Sequence, residues 1–333
     1  MSDFSDVIER WAQPGRGPLC LLNIDDTDTA VWASQRSSGA SLHCHFRFES
    51  HQEVNRLGLQ ALSFPEQPEQ AFSEVYWAWP KARAEADMLL DWLPHIMAPD
   101  GQLWLIGHNR SGIRSAPKTL AAKGWTVRKM GSARHCVLLR ATPPVPAELF
   151  SLAPYWANTT LPGGGQVWSL PGVFAHGRLD KGSLQLLPWL RDLPSPLLDF
   201  GCGAGLLALQ AAHDNTGLAI TGVDNHWLAI LSSQRTAEEN GLDFTPYWSD
   251  GIGDLTGRFA SLVTNPPFHA GQATNYDITH ELLQSCSRVL QPGAPFLAVV
   301  NDHLPYADWL KQYLKEPQCV AHANGFRVWS ARV

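Results

Sequence analysis

Between Pro196 and Gly205 the chain runs Pro-Leu-Leu-Asp-Phe-Gly-Cys-Gly-Ala-Gly, a short apolar stretch that drives into a cluster of glycines. Four to five apolar residues bounded by turn formers read as a buried strand. Glycines at its end permit positive φ and let a ligand approach the backbone closely. Leu206–Ala212 then reads as a helix, so the glycines occupy a strand–loop–helix turn. Downstream, Ala219–Val223 reads as the next strand and Trp227–Asn240 as the next helix, stopped by Gly241. Ala260–Thr264 is a further strand entering a Pro-Pro loop, Ile278–Leu290 a helix stopped by Pro292-Gly293, and Pro295–Val300 a strand again. Strands alternating with helices of this length predict an α/β fold with a doubly wound, parallel sheet.

The first half repeats this rhythm more faintly. Cys20–Ile24, Val31–Ser34, Val75–Trp77 and Leu103–Ile106 are strand-like. The two halves also end alike. Gly101 opens GQLWLIGHN and Gly293 opens GAPFLAVVN, each with an Asn eight residues on, at Asn109 and Asn301. A helix-length segment follows each, then a basic and apolar strand, SARHCVLLRA from Ser132 and NGFRVWSARV from Asn324. A duplicated domain follows. The prolines of Ala141–Ala147 break regular structure and mark the divide. The expected organisation is residues 1–140 as one domain, 141–170 as linker and lead-in, and 171–333 as a second domain.

Composition bounds the function. Of 333 residues, 44% are hydrophobic and 17% charged, the balance of a folded protein with room for two cores. A net charge of −6 excludes a wholly basic nucleic-acid coat but not a local basic patch. The six cysteines lack CxxC spacing and the first ten residues are polar, so reduced thiols, no bound metal and a cytoplasmic protein are expected. No apolar run approaches ~18 residues, which argues against a membrane span. Fourteen tryptophans are expected mostly in cores or interfaces.

The glycine loop carries the first chemistry. Its spacing differs from G-x-G-x-x-G, and Asp199 precedes it on the strand. A carboxylate there suits an ammonium better than a pyrophosphate. Gly201, Cys202, Gly203 and Gly205 would line that ligand. Asp224, with Asn225 beside it, lies 25 positions after Asp199 at the end of the next strand, the usual place for a carboxylate on ribose hydroxyls. Asp250 follows a third strand, where an adenine amine would be met. An ammonium, a ribose and an adenine in that order describe S-adenosylmethionine, rather than a nicotinamide, a flavin or an unliganded turn.

The second piece is Thr264-Asn265-Pro266-Pro267-Phe268-His269. Consecutive prolines stiffen the backbone and leave carbonyls free to accept. The Asn265 side-chain oxygen and the Pro266 carbonyl could hold both hydrogens of a planar amine. That favours a pyramidal nitrogen with its lone pair toward a methyl sulfonium, a catalysis of positioning and electrostatics. Phe268 would stack on a flipped base. His269 is a candidate substrate contact, against the commoner structural role of a lone histidine.

These loops resemble those of class I S-adenosylmethionine-dependent methyltransferases. With PGVFAHGRLDKGSLQLL from Pro171 to Leu187, the second half resembles the RsmC/RlmG family of ribosomal RNA guanine-N2 methyltransferases. GHNRSGIRSA, Gly107 to Ala116, and SARHC from Ser132 resemble the RsmC branch in particular. The resemblance implies two tandem class I, Rossmann-like methyltransferase domains, of which only the second binds cofactor. It implies a guanine in helix 34 of 16S rRNA, within the assembled 30S subunit, as target. It also implies that Asp180 borders the cofactor pocket.

The first half lacks the means to bind cofactor. Its counterpart to the glycine loop is expected at Asp25–Thr29, without glycine, and its counterpart to Asn-Pro-Pro-Phe is Ala78-Trp79-Pro80-Lys81. It is instead basic. Asn109–Arg140 holds Arg110, Arg114, Lys118, Lys123, Arg128, Lys129, Arg134 and Arg140 with no acid, leaving 17 basic residues against 31 acidic in the rest. One RNA-facing surface has this signature, with Arg110, Arg114, Lys118 and Arg134 as RNA contacts. A monomer is expected, since two fused domains can replace a dimer. Three other readings stay open: a 23S rRNA guanine-N2 methyltransferase of the RlmG type, a protein-glutamine methyltransferase, and a non-catalytic RNA-binding assembly factor.

Overall fold

The computed structural model describes residues 3–12, 17–36, 41–252, 255, 257–266 and 273–333. The chain divides into two compact units, Met1–Tyr155 and Trp156–Val333. The boundary falls inside the 141–170 stretch that separates the two domains in the sequence reading.

In the first unit a seven-stranded sheet has the order β3-β2-β1-β4-β5-β7-β6. Its strands are β1 (Leu19–Leu22), β2 (Ser41–Cys44), β3 (Gln60–Ala61), β4 (Phe72–Ala78), β5 (Met97–His108), β6 (Thr126–Ala133) and β7 (Cys136–Thr142). Helices α1 (Asp3–Trp11), α2 (Thr27–Arg36), α3 (Phe48–Arg56), α4 (Arg83–Trp92) and α5 (Ala116–Ala122) connect or flank them. β1 is wholly apolar and buried, and β4 is buried over most of its length, as parallel strands covered on both faces are.

The second unit opens with a two-stranded hairpin, β8 (Ala157–Thr160) and β9 (Gln166–Ser169). β9 lies along α8 (Trp227–Asn240), where Thr236 Oγ1 and Ser232 Oγ accept the Trp168 and Leu170 amides at 3.0 Å each. The sheet order is β12-β11-β10-β13-β14-β16-β15. Its strands are β10 (Leu197–Phe200), β11 (Ile220–Asp224), β12 (Phe244–Trp248), β13 (Ser261–Thr264), β14 (Pro295–Asn301), β15 (Lys315–Ala323) and β16 (Phe326–Arg332). The remaining helices are α6 (Lys181–Leu186), α7 (Leu206–Asp214), α9 (Ala273–Val289) and α10 (Tyr306–Tyr313). One apolar cluster, centred on Leu198, Leu262 and Phe296, packs against α9 and α10. Another, centred on Leu197, Val263 and Val299, packs against α6 and α7.

The two sheets thus share one strand order, and pairing makes the match residue by residue. Leu22 pairs with Cys44 and Trp77, as Phe200 pairs with Val223 and Thr264. The duplication and the doubly wound plan expected above are both present. Three details differ. Val31–Ser34 lies in α2, not in a strand: Asp26 caps that helix by accepting from the Asp28 amide and the Thr29 hydroxyl, and Ala, Gln and Arg favour it. The repeat is offset by one at β5 and β14. Trp77 pairs with Leu105 and Thr264 with Ala298, so Asn301 matches His108 and Asn109 matches Asp302. Finally, seven of the fourteen tryptophans are buried. All six cysteines are free thiols. Among the described residues no helix is long and apolar enough to cross a membrane.

Candidate active site

The winding of the second sheet reverses at β10, which lies between β11 and β13. The crevice beyond the carboxyl ends of strands at such a switch point is where doubly wound sheets take ligands. Here the glycine loop fills that place. The Gly201 and Cys202 amides both donate to the Val223 carbonyl, at 2.8 and 3.0 Å, and the Gly205 amide donates to the Cys202 carbonyl at 2.8 Å. Gly201, Gly203 and Gly205 hold φ of 70°, 54° and 81°, a left-handed run that side-chained residues rarely adopt. A Cβ at Gly203 would meet nothing within 4 Å, so the loop turns a bare backbone edge outward. At Gly222, by contrast, a Cβ would stand 2.6 Å from the Phe244 ring and 2.9 Å from Cys202 Sγ.

The acids are tied to this loop. Asp224 accepts the Gly203 amide on Oδ2 and the His226 amide on Oδ1, both at 2.9 Å. Asp199 is fully buried, and its Oδ2 accepts the Ala208 amide at 3.2 Å. Its Oδ1 is buried without a hydrogen-bond partner among the described residues. Burial pushes the Asp199 carboxyl up to about 7; the Ala208 amide pulls it back, and Asp224 pushes it further. Burial, then Asp224 and Asp199, push the Cys202 thiol far up, so Cys202 is a neutral wall of the site rather than a nucleophile.

A cleft opens above the loop. Gly201, Cys202, Gly203, Ala204 and Asn265 line it together with Thr159, Phe174, Arg178, Asp180 and Ser183. Phe174 is 61% exposed at its mouth. Asn265 leaves β13 where Thr264 Oγ1 donates to the Phe200 carbonyl at 2.8 Å. Its Nδ2 donates to Asp180 Oδ2 and to Ser183 Oγ, each at 2.9 Å. Both amide hydrogens are thereby used, and Oδ1 is left as the acceptor end.

Asp199, Gly201, Cys202, Gly203, Gly205, Asp224 and Asn265 therefore gather around one loop. Asn225 adjoins them, its carbonyl accepting from Trp248 Nε1 at 3.0 Å. Asp250 is exposed, in the turn after β12 that Ser249 closes by donating to the Gly251 carbonyl. Pro266 follows Asn265; Pro267, Phe268 and His269 lie outside the described residues. Phe174, Arg178 and Ser183 join the site without having stood out in the sequence. The available signal was a helix-capping pattern, an Asp180 whose side chain accepts the Ser183 amide at 2.7 Å at the start of α6. Among the described residues no group of His, Cys, Asp and Glu could hold a metal ion.

The first unit repeats the strand order and pairing without these groups. By pairing, Leu21 stands at the position of Asp199, Asn23 at Gly201, Asp25 at Gly203, His45 at Asp224 and Ala78 at Asn265. The loop counterpart thus begins at Asn23, two residues before the expected start, and Ala78–Lys81 stands where expected. Asn23 keeps a φ of 51°, and its amide donates to the Cys44 carbonyl at 2.9 Å, as Gly201 does to Val223.

Of the basic segment, Arg110, Arg114, Lys118, Arg128, Lys129 and Arg134 are exposed. Lys123 pairs with Asp91 at 2.5 Å, Arg134 with Asp6 at 2.9 Å, and Arg140 stacks over Trp104. The Asn109 amide donates to the His135 carbonyl at 2.8 Å, which joins the loop of Arg110 and Arg114 to the β6–β7 turn at Arg134.

Two family profiles match in tandem: "Methyltransferase small domain N-terminal" over residues 5–159 and "Methyltransferase small domain" over residues 164–330. The chain is 35% identical over 343 residues to the ribosomal RNA small subunit methyltransferase C of Pseudomonas fluorescens, covering all of this chain and 99% of that one. It is 40% identical to the protein of that name from Pseudomonas paraeruginosa over 80% of each chain. Among solved structures, the Thermus thermophilus 16S rRNA N2 G1207 methyltransferase, in complex with AdoMet and guanosine, matches with a TM-score of 0.85 at 25% identity, over 99% of this chain and 92% of that one.

Proposed function

Because the chain belongs to the ribosomal RNA small subunit methyltransferase C family, we propose that it methylates the exocyclic N2 amine of a guanine in 16S rRNA, in helix 34 of the assembled 30S subunit. It is an S-adenosylmethionine-dependent rRNA methyltransferase. The observation that carries the choice of an amine acceptor is the Asn265 side chain, whose two donors are spent on Asp180 and Ser183 and whose oxygen is left to accept.

The site fits the cofactor. A buried carboxylate oxygen without a partner, on Asp199, suits the methionine ammonium. The open edge at Gly203 admits a ligand against the backbone. Gly201, Cys202 and Gly205 shape that edge, Asp224 with Asn225 holds the ribose, and Asp250 meets the adenine. S-adenosylmethionine supplies an electrophilic methyl on a sulfonium. The chain's own work is positioning. Asn265 Oδ1 and the Pro266 carbonyl take the two hydrogens of the guanine amine, Pro267 stiffens the loop, Phe268 stacks on the flipped base and His269 borders it. The amine nitrogen would take the methyl as its bond to sulfur breaks, leaving a neutral thioether, and would release a proton to solvent; no strong base is needed.

The first unit, with Arg110, Arg114, Lys118 and Arg134, docks the RNA through phosphates, while the pocket selects the base. The protein works as a cytoplasmic monomer.

The test is transfer of labelled methyl to purified small subunits that lack their own guanine-N2 methylation, followed by nucleoside analysis. Label in N2-methylguanosine, lost with Asn265→Ala, is the expected result. Label in another nucleoside or in protein, or no label at all, overturns the reading.

A further inference from the structure

We propose that Asp180 is a positioning residue for methyl transfer: it locks the Asn265 side-chain amide with its oxygen toward the acceptor amine. The inference rests on the amine-site reading above and concerns a residue that so far only borders the cleft.

An asparagine amide is nearly symmetric in shape, and only its neighbours decide which end is oxygen. Wrongly turned, Asn265 would present two donors to an amine that also donates, and the site would repel its substrate group. Asp180 removes that choice. An ionised carboxylate only accepts, so it attracts Nδ2 and repels Oδ1. The geometry is convergent. Asp180 Oδ2 takes Asn265 Nδ2 at 2.9 Å and the Ser183 amide at 2.7 Å, and Ser183 Oγ takes the second Asn265 hydrogen at 2.9 Å. The carboxylate is itself fixed. It caps α6, and a Cβ on the next-but-one residue, Gly182, would lie 3.0 Å from Asp180 Oδ2 and 2.9 Å from the Phe326 ring. Only glycine lets the first turn of α6 seat this closely on β16. Ser183 cannot act alone, because a hydroxyl donates as readily as it accepts and tolerates either end of the amide. The single unambiguous group in the set is the carboxylate.

The test uses the full chain with Asp180→Ala and Asp180→Asn. The amide introduced by Asp180→Asn can place its oxygen where Oδ2 stands, capping Ser183 and accepting from Asn265, while losing the charge. Three quantities are read: the S-adenosylmethionine Kd by calorimetry, kcat on small subunits, and the Asn265 side-chain amide signals in ¹⁵N spectra, assigned by their loss in Asn265→Ala. Asp180→Ala is expected to lower kcat about 10- to 100-fold with the cofactor Kd within about threefold, and to shift the Asn265 amide signals. Asp180→Asn is expected to restore most of the kcat and the signals. Unchanged kcat in Asp180→Ala overturns the proposal. So does loss of cofactor binding in step with kcat in both variants, which would make Asp180 a cofactor contact. The spectra need no turnover, so they judge the lock even where the wild type methylates an acceptor other than guanine.

Discussion

Asp199 is the residue whose chemistry reaches furthest into solution behaviour. Its folded carboxyl sits at about 7, against 3.8 as its ordinary value, chiefly through burial. The raised value means the folded protein binds a proton that the unfolded chain has released, so the free protein loses stability as pH climbs from about 4 to about 7. An ammonium placed on the bare Oδ1 reverses the preference, because it favours the carboxylate. Cofactor binding must then expel a proton below neutrality. The Kd for S-adenosylmethionine is expected to weaken roughly five- to tenfold from pH 7.5 to pH 6. Asp199→Asn should bind more weakly and remove that slope. Calorimetry across the pH range measures both, and a wild-type Kd that stays flat contradicts the assignment. The loop and its acids were legible in the sequence because glycine and aspartate spacing is itself the chemistry. The Asp180–Asn265 contact was not, since 85 residues separate its partners and only folding brings β13 against α6.

At the scale of elements, legibility followed burial. α8 runs from Trp227 to Asn240 as read, since Gly241 stops it with a φ of 63°. β10 and β13 were equally plain, being buried along their whole length. α2 mimics a strand in sequence because Ala30-Val31-Trp32-Ala33 is apolar enough to pass for a buried one, and the cap at Asp26 decides the matter locally. The two closing hairpins make an instructive pair. β15–β16 turns through Asn324-Gly325 at φ of 54° and 80°, the residues that suit a tight type I′ turn. β6–β7 makes the same turn through Arg134-His135 at 51° and 59°. Replacing Arg134-His135 by Asn-Gly should relieve that backbone and raise stability by about 1 kcal/mol, even after loss of the surface pair with Asp6. A urea midpoint that falls instead would show that the arginine's interactions outweigh the strain.

For the molecule as a whole, charge is distributed against the average. A chain of net −6 carries a segment of eight basic residues without an acid, and six of those residues are exposed. Phosphate contacts of this kind raise affinity uniformly and weaken with salt. Reversing Arg110 and Arg114 to Glu is expected to weaken small-subunit binding at least tenfold at moderate salt. The slope of log affinity against log salt should flatten by roughly 1.5 to 2, the change expected when two phosphates are no longer neutralised. The cofactor Kd should not move, since the cleft and the loop lie in the other unit. Unchanged subunit affinity would remove the RNA-docking role of the first unit.

Asn23 carries the likeness of the two units into the backbone itself. Its left-handed backbone and its bond to Cys44 repeat those of Gly201, although Leu21, His45 and Ala78 stand where the second unit has Asp199, Asp224 and Asn265. Asparagine is among the few side-chained residues that take this conformation at small cost. A position with this backbone therefore accepts glycine or asparagine and few other residues, whereas the side chains that face a pocket are under no such restriction. The two units thus share a turn that geometry restricts and differ in the chemistry around it, which geometry leaves free.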